Sequence, residues 1–359
     1  MKKKIAVLAV TVAVILSSVS TAMAADKTVA KSSATEAALF EAGGAEITDY
    51  TNVKNIGKVE AVLSKARQAA AEENRNQTAL GAKGAATETS SVNYVYIDGN
   101  THYFYETSPV LDKEKVYVYE VQASSTENTP VGNVSALAGN LPDGIGGKAV
   151  VNKNGSYINA TVRLALQSQL SGAPSGATYT YSGFSGTGRK YDGTNNNFPV
   201  ETDMGLQYSN AYGYVKWTPV LGLYNGIKSN GSFLSGNDKV QYKNGFKGGT
   251  DVNLTAYRNL NGNTRLSISG YAVCPDSSCS QTADTYLTAI LEVANTNVTS
   301  VSKWKMLATL AGSESVTGHN YAEFKNVNVD GVAQTPTKEA EDYASVTIAG
   351  STVKINVSR

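Results

Sequence analysis

From about residue 143 to the C-terminus, short strand-like runs follow one another with no helical pattern between them. That texture constrains the fold more than any other feature. The runs are 149–151, 157–164, 177–181, 204–208, 214–223, 240–242, 251–258, 264–273, 285–293, 304–310, 322–329 and 345–357. Clusters of Gly, Asn, Asp and Ser separate them, and Asn261-Gly262-Asn263 is the clearest turn, because Asn and Gly accept the positive φ that a tight hairpin demands. Ten or more strands without interleaved helices predict a mostly β chain, a β-sandwich or jelly roll over residues 141–359. The alternation across 252–268 turns one face to the core and leaves the other for solvent or ligand. Gly144-Ile145-Gly146-Gly147-Lys148 reads as a turn. It is no phosphate loop, since its spacing fails and no helix follows.

A small α+β region precedes the sandwich. Residues 25–90 are rich in Ala, Glu, Lys, Ser and Thr. Ser33-Ala34-Thr35-Glu36 resembles a capping box opening a short helix that Gly43-Gly44 ends. Val59, Val62, Leu63, Ala66 and Ala70 fall at helical spacing and predict an amphipathic helix over 58–73. Residues 77–91 read as a link. A tyrosine-rich meander over 91–122 follows, its first hairpin signalled by Asp98-Gly99. Alone it is marginal, so it is expected to pack on the helix or on the sandwich. Residues 123–140 return to Ser, Thr, Asn, Pro and Gly, as a linker does.

The N-terminus carries an export signal. Lys2, Lys3 and Lys4 precede the apolar run 5–16, and Ala22-Met23-Ala24 offers a small-x-small site, so cleavage is expected between Ala24 and Ala25. An apolar run of about 12 residues is too short to span a bilayer, which takes about 20. With no anchor motif in view, the expected product is secreted, not inserted in the membrane. Cys274 and Cys279, the two cysteines, then read as one short-loop disulfide pinning a turn, worth about 2 kcal/mol.

The net charge of +1 becomes −2 once the three signal lysines are lost. No basic stripe marks a nucleic-acid binder, so nucleic acid is not an expected partner. Two histidines, His102 and His319, accompany no G-x-S-x-G, which argues against a Ser–His–Asp triad. No Glu-x-Asp-x-Glu run supplies a glycosidase pair. The acids Asp203, Asp251, Glu292 and Glu323 lie near strand ends, where a solvated carboxylate is ordinary. No cofactor is expected. Asp143 and Asp330, near the two ends of the β domain, are the candidate ligands for a structural calcium.

The persistent chemical signal is aromatic: 21 Tyr against 7 Phe and 2 Trp. Tyrosine offers a flat apolar face to a sugar ring and a hydroxyl at home in water. Tyr208, Tyr212, Tyr214 and Trp217 crowd one strand pair, with Tyr212 and Tyr214 sharing one face while Val215 and Trp217 share the other. Tyr257, Arg258 and Arg265 add residue types that suit an acidic sugar. The expectation is a non-catalytic protein that binds cell-wall or extracellular glycan through an aromatic sheet face. The alternatives are a polysaccharide lyase or hydrolase, or a structural matrix protein.

Several motifs carry a family resemblance. They are Leu141-Pro-Asp-Gly-Ile-Gly-Gly-Lys148, Tyr181-Ser-Gly-Phe-Ser-Gly186, Gly205-Leu-Gln-Tyr-Ser209, Tyr257-Arg-Asn-Leu-Asn-Gly-Asn-Thr-Arg265 and Ser302-Lys-Trp-Lys305. Together they resemble the YrpD-type secreted proteins of Bacillus and relatives over residues 141–359. The resemblance implies export and a shared fold and carries over no catalytic residue. More loosely, Ala322-Glu-Phe-Lys-Asn-Val-Asn-Val-Asp-Gly331 before a final strand is similar to the end of concanavalin-like jelly rolls, which implies a fold alone.

Overall fold

The computed structural model describes residues 38–42, 44–49, 56–79, 90–108, 113–121, 144–172, 177–209, 215–231, 244–273, 285–312 and 315–359. The N-terminal elements are β1 (Ala38–Ala42), β2 (Ala45–Asp49), α1 (Ile56–Ala79), β3 (Ser90–Asp98), β4 (Thr101–Ser108) and β5 (Lys113–Glu120). Then come β6 (Gly144–Val151), β7 (Tyr157–Leu164), β8 (Gln169–Ser171), β9 (Ala177–Gly188), β10 (Phe198–Ser209), β11 (Lys216–Tyr224), β12 (Lys228–Asn230) and β13 (Gly245–Phe246). The chain continues through β14 (Asp251–Leu260), β15 (Asn263–Val273), β16 (Tyr286–Val293), β17 (Ser300–Ala311) and β18 (Thr317–Val329). It closes with β19 (Val332–Ala333), β20 (Thr337–Asp342), β21 (Ala344–Ala349) and β22 (Thr352–Ser358).

Pairing sorts the strands into two layers. Sheet A runs β1-β2-β5-β4-β3-β16-β15-β14-β7-β18-β22-β21. Sheet B runs β12-β11-β10-β9-β17-β6-β20. The short β13 pairs with both β11 and β15 and ties the layers together. All neighbours are antiparallel except β2–β5 and β3–β16. The fold is thus the expected mostly β sandwich with a small α+β region before it. Sheet A, however, is a large open mixed sheet rather than a simple jelly-roll layer.

Alternation builds the core. In β14, Val252, Leu254 and Ala256 point inward and are buried, as are Leu266 and Ile268 in β15. They meet Met204, Trp217 and Trp304 of sheet B in one cluster. The β14–β15 hairpin turns where expected, with Asn261 at φ 55° and Gly262 at φ 88°, a pair of positive values suited to a type I′ turn.

The tyrosine meander is a continuation of sheet A. β3 pairs in parallel with β16, so Val95, Ile97, Phe104 and Tyr119 enter the sandwich core. Its other face is roofed by α1. Val59, Val62, Leu63, Ala66 and Ala69 of the helix bury against Tyr94, Tyr96, Tyr103, Tyr105, Val116, Val118 and Ile290 in a second cluster. Both packing partners expected for the meander are therefore used.

Three expectations change. The short helix read near residue 36 is strand at Ala38–Ala42, where the chain makes a hairpin with β2. Helix propensity from Ala and Glu yields there to pairing with a sheet edge. The predicted helix over 58–73 extends to Ile56–Ala79. The glycine run read as a turn is strand β6, held between β17 and β20. A Cβ at Gly146 (φ 156°) would stand 2.4 Å from the Ala308 carbonyl oxygen, and one at Gly147 2.6 Å from methyl groups of Val346 and Ile355. Glycine is there for close approach across the layers, not to bend the chain. Of the two histidines, His102 is buried in β4 against Tyr119, and His319 sits within β18. Residues 33–37, the predicted strand 240–242 and the linker 123–140 lie outside the described residues.

Candidate functional site

The outer face of sheet A over β16, β15, β14, β7 and β18 is laid out in rows set by strand register. One row is Thr288, Ser269, Asn253, Thr161 and Lys325. The next is Ile290, Ser267, Thr255, Asn159 and Asn328. Short hydroxyl and amide side chains make up most of both. Tyr257 and Tyr157 border them on one side, rings 5.5 Å apart. On the other side stand Tyr271 and Tyr286, 5.8 Å apart, and the charged residues Arg163, Asp251 and Glu323.

The amides are linked to one another. Asn328 Nδ2 donates to Asn159 Oδ1 at 3.3 Å, and Asn159 Nδ2 donates to Thr255 Oγ1 at 2.8 Å and to Asn253 Oδ1 at 3.2 Å. The chain of bonds fixes the rotamers while leaving the β14–β7–β18 part half-buried, open to a ligand. Toward β16 the face is closed: Ser267, Ser269 and Thr288 are buried. Among the described residues the Ser267 Oγ has no hydrogen-bond partner, while the Tyr286 hydroxyl stands beside Ser269. Burial raises the Tyr257 pKa to about 12, so its hydroxyl stays a donor.

α1 locks the far end of this face through charge. Arg265 Nε donates to Glu292 Oε2 at 2.7 Å, and its Nη1 lies 3.4 Å from Glu72 Oε2 on the helix. Asn263 Nδ2 donates to the other Glu292 oxygen. Burial opposes the charge on Arg265, but Glu292 alongside holds its pKa above the ordinary value. Burial first and the Glu292 charge second drive the Tyr94 hydroxyl well above the usual phenol range. Glu292, expected as a solvated strand-end acid, is 2% exposed and is part of the scaffold.

The outer face of sheet B has another character. Lys305 Nζ lies 3.2 Å from Asp203 and 3.3 Å from Glu201. Glu339 holds both Lys148 at 2.8 Å and Lys303 at 2.7 Å. Burial opposes the Lys305 charge, yet the two acids keep its pKa raised. The Glu339 carboxyl, whose own burial acts against it, is lowered by hydrogen bonds from Lys148 and Lys303.

Of the residues singled out from the sequence, Tyr257 and Arg265 share the outer face of sheet A as paired neighbours, Arg265 engaged as above. Arg258 turns away and donates to the Thr299 carbonyl oxygen. Trp217 is fully buried, its Nε1 donating to the Ala165 carbonyl oxygen at 3.0 Å, so it is core and not a ligand contact. Tyr208 packs on it at 5.3 Å. Tyr212, Tyr214, Asp143, Cys274 and Cys279 lie outside the described residues, as do Ala24 and Ala25. Asp330 Oδ1 accepts from Ser156 N at 2.8 Å and Tyr157 N at 3.2 Å, an acceptor role in a turn. Among the described residues no three His, Cys, Asp or Glu side chains gather as a metal site, and no helix is long and apolar enough to cross a membrane. The row residues Asn159, Thr161, Asn253 and Asn328 escaped sequence reading. Their signal is the period-2 placement of Asn and Thr opposite buried Val, Leu and Ala.

Comparison with known proteins places these features in context. The YrpD family, described as a domain of unknown function, matches residues 138–357. Uncharacterized protein YrpD of Bacillus subtilis (strain 168) is 36% identical over 223 residues, covering 61% of this chain and 84% of that protein. Among solved structures, scytalido-glutamic peptidase with a peptide-based transition state analog aligns over 61% of this chain and all of its own, at 10% identity and a TM-score of 0.39. SCP-B, a member of the eqolisin family of peptidases, aligns over the same shares at a TM-score of 0.36. At those scores no chemistry transfers.

Proposed function

The chain belongs to the YrpD family, a domain of unknown function, and from its own geometry we propose that it is an exported, non-catalytic protein that binds a hydroxyl-rich polymer, a glycan, on the outer face of sheet A. One observation carries the reading: β14, β7 and β18 hold Asn253, Thr161, Asn159 and Asn328 side by side on a half-buried surface edged by Tyr157 and Tyr257. Short amides and hydroxyls match the donor and acceptor density of a sugar, and tyrosine faces stack on its apolar side. The leader ending at Ala24 supports export, since a polymer of this kind lies outside the cell. The aromatic face is thereby moved from the β10–β11 strand pair, where Trp217 is core, to sheet A.

The test is co-sedimentation with insoluble glycans and cell walls. Asn253→Ala with Thr161→Val should weaken binding about tenfold or more with melting unchanged, while Tyr208→Ala leaves binding intact. Binding unaffected by the paired change would remove sheet A from consideration.

A further inference from the structure

At the charged end of this face lies an open depression of about 450 Å³ lined by Arg163, Leu166, Gln167, Gly249, His319 and Tyr321, among others. It is shallow and open to solvent, as suits one unit of a longer polymer. Backbone and side-chain hydrogen bonds hold its rim. Leu164 N donates to the Thr250 carbonyl oxygen at 3.1 Å, and Gly249 N to that of Ala165 at 3.2 Å. Ser168 Oγ donates to the His319 carbonyl oxygen at 2.8 Å. Gly249 has φ 70°, and a Cβ there would stand 2.9 Å from Leu166 Cδ1, so glycine at this position lets Leu166, 72% exposed, form the lip.

The charges around the depression are asymmetric. None of its lining residues is acidic. Asp251, 3.5 Å from the Arg163 guanidinium, is also held by Lys325 at 2.7 Å. Glu323 is held by Lys354 at 3.3 Å and accepts from the Tyr321 hydroxyl, also at 3.3 Å. Arg163, Lys325 and Lys354 thus outnumber Asp251 and Glu323, and Arg163 alone of the three cations lines the depression. The planar fork of a guanidinium has five donors, which suit an oxyanion in bidentate contact. His319 adds an imidazole N–H donor and Tyr321 an aromatic face. We infer that this depression seats one anionic unit of the bound glycan, a sugar bearing a carboxylate or a phosphate, with Arg163 on the oxyanion. The inference rests on the glycan reading of sheet A and names the class of sugar. A single seat of this kind does not require the extended basic stripe whose absence argues against nucleic acid.

The experiment measures binding of the full chain to polygalacturonate, to its methyl-esterified form and to poly(glycerol phosphate), at low and high salt. A preference of about tenfold or more for a charged polymer over the ester is expected. It should be lost in Arg163→Gln, partly kept in Arg163→Lys, and reduced in Gly249→Ala, with ester binding unchanged in Arg163→Gln. The stronger of the two anionic polymers identifies the oxyanion. Equal binding of charged and esterified polymer, or a preference that survives Arg163→Gln, overturns the anionic seat and leaves the sheet-face reading standing. If no polymer binds, both readings fall.

Discussion

The two outer faces of the sandwich solve the same problem in opposite ways. On sheet B, charges are paired across strands, Lys305 with Glu201 and Asp203, Lys148 and Lys303 with Glu339. On sheet A, the middle of the open surface is a field of amides and hydroxyls whose hydrogen-bonding capacity is only partly spent within the protein, and charge is gathered at one end around Arg163, Asp251, Lys325 and Glu323. The sheet B lysines, each matched by carboxylates on neighbouring strands, have little left to offer a ligand, whereas a fixed amide keeps an unused lone pair or proton and Arg163, with one nitrogen 3.5 Å from Asp251, keeps further N–H donors. The difference teaches that binding capacity lies where polar groups are incompletely paired rather than where charge is densest.

The comparison can be broken most forcefully at Glu292. Its loss strands Arg265 at a buried position, so Glu292→Ala should cost about 3–5 kcal/mol in urea unfolding. Combining it with Arg265→Met should restore part of that. A loss below about 1 kcal/mol would mean that the buried Arg265–Glu292 pair does not hold β15 against β16 at this end of sheet A.

Next in size is a titration that belongs to neither face. Burial lowers the His102 pKa to about 4, from 6.5. The folded form therefore binds fewer protons than the unfolded chain between these values. Stability is fully present above pH 6.5 and is lost as pH falls toward 4, by about 3 kcal/mol in total. Melting curves across that window should flatten in His102→Phe relative to the parent, and identical slopes would count against a buried neutral imidazole.

Much of the scaffold was readable beforehand. The strand runs, both hairpins and the amphipathic stretch of α1 follow from period 2, Asn-Gly or Asp-Gly turns and i, i+3, i+4 spacing, because those signals are local. What escaped was non-local. The strand at Ala38–Ala42 depends on an edge offered by β2 and β5. The β6 glycines resemble turn residues until β17 and β20 close over them. The binding face needs register among five strands, and no pair such as Asn159 and Asn253 announces that its members lie side by side. Trp217 illustrates the converse: an aromatic near other aromatics in sequence became core because strand parity turned it inward.

Smaller effects sharpen the contrast. Lys305→Ala leaves Glu201 and Asp203 facing each other with partial solvent screening, and should cost about 1–2 kcal/mol in thermal unfolding while glycan binding is retained. If binding fell in step, sheet B could not be regarded as the structural face. Least costly of all is Ser267→Ala, which removes a buried hydroxyl that has no partner among the described residues. Stability should stay within about 0.5 kcal/mol of the parent, or rise. A cost above 1 kcal/mol would reveal a hydrogen bond at that hydroxyl and a more fully satisfied sheet A than described.

The parallel pairing of β3 with β16 also bears on the order of assembly. Ser90 aligns with Tyr286, roughly two hundred positions later, a separation that slows folding because a long loop must close before the contact rewards it. During synthesis from the N-terminus, α1 and the meander are complete long before the edge they dock on exists. By packing on the tyrosine face, α1 covers the apolar surface that the three-stranded fragment would otherwise expose while it waits for β16. Refolding should accordingly be biphasic, with the fluorescence of the meander tyrosines under α1 settling first and the sandwich core, which needs β3 joined to β16, settling last.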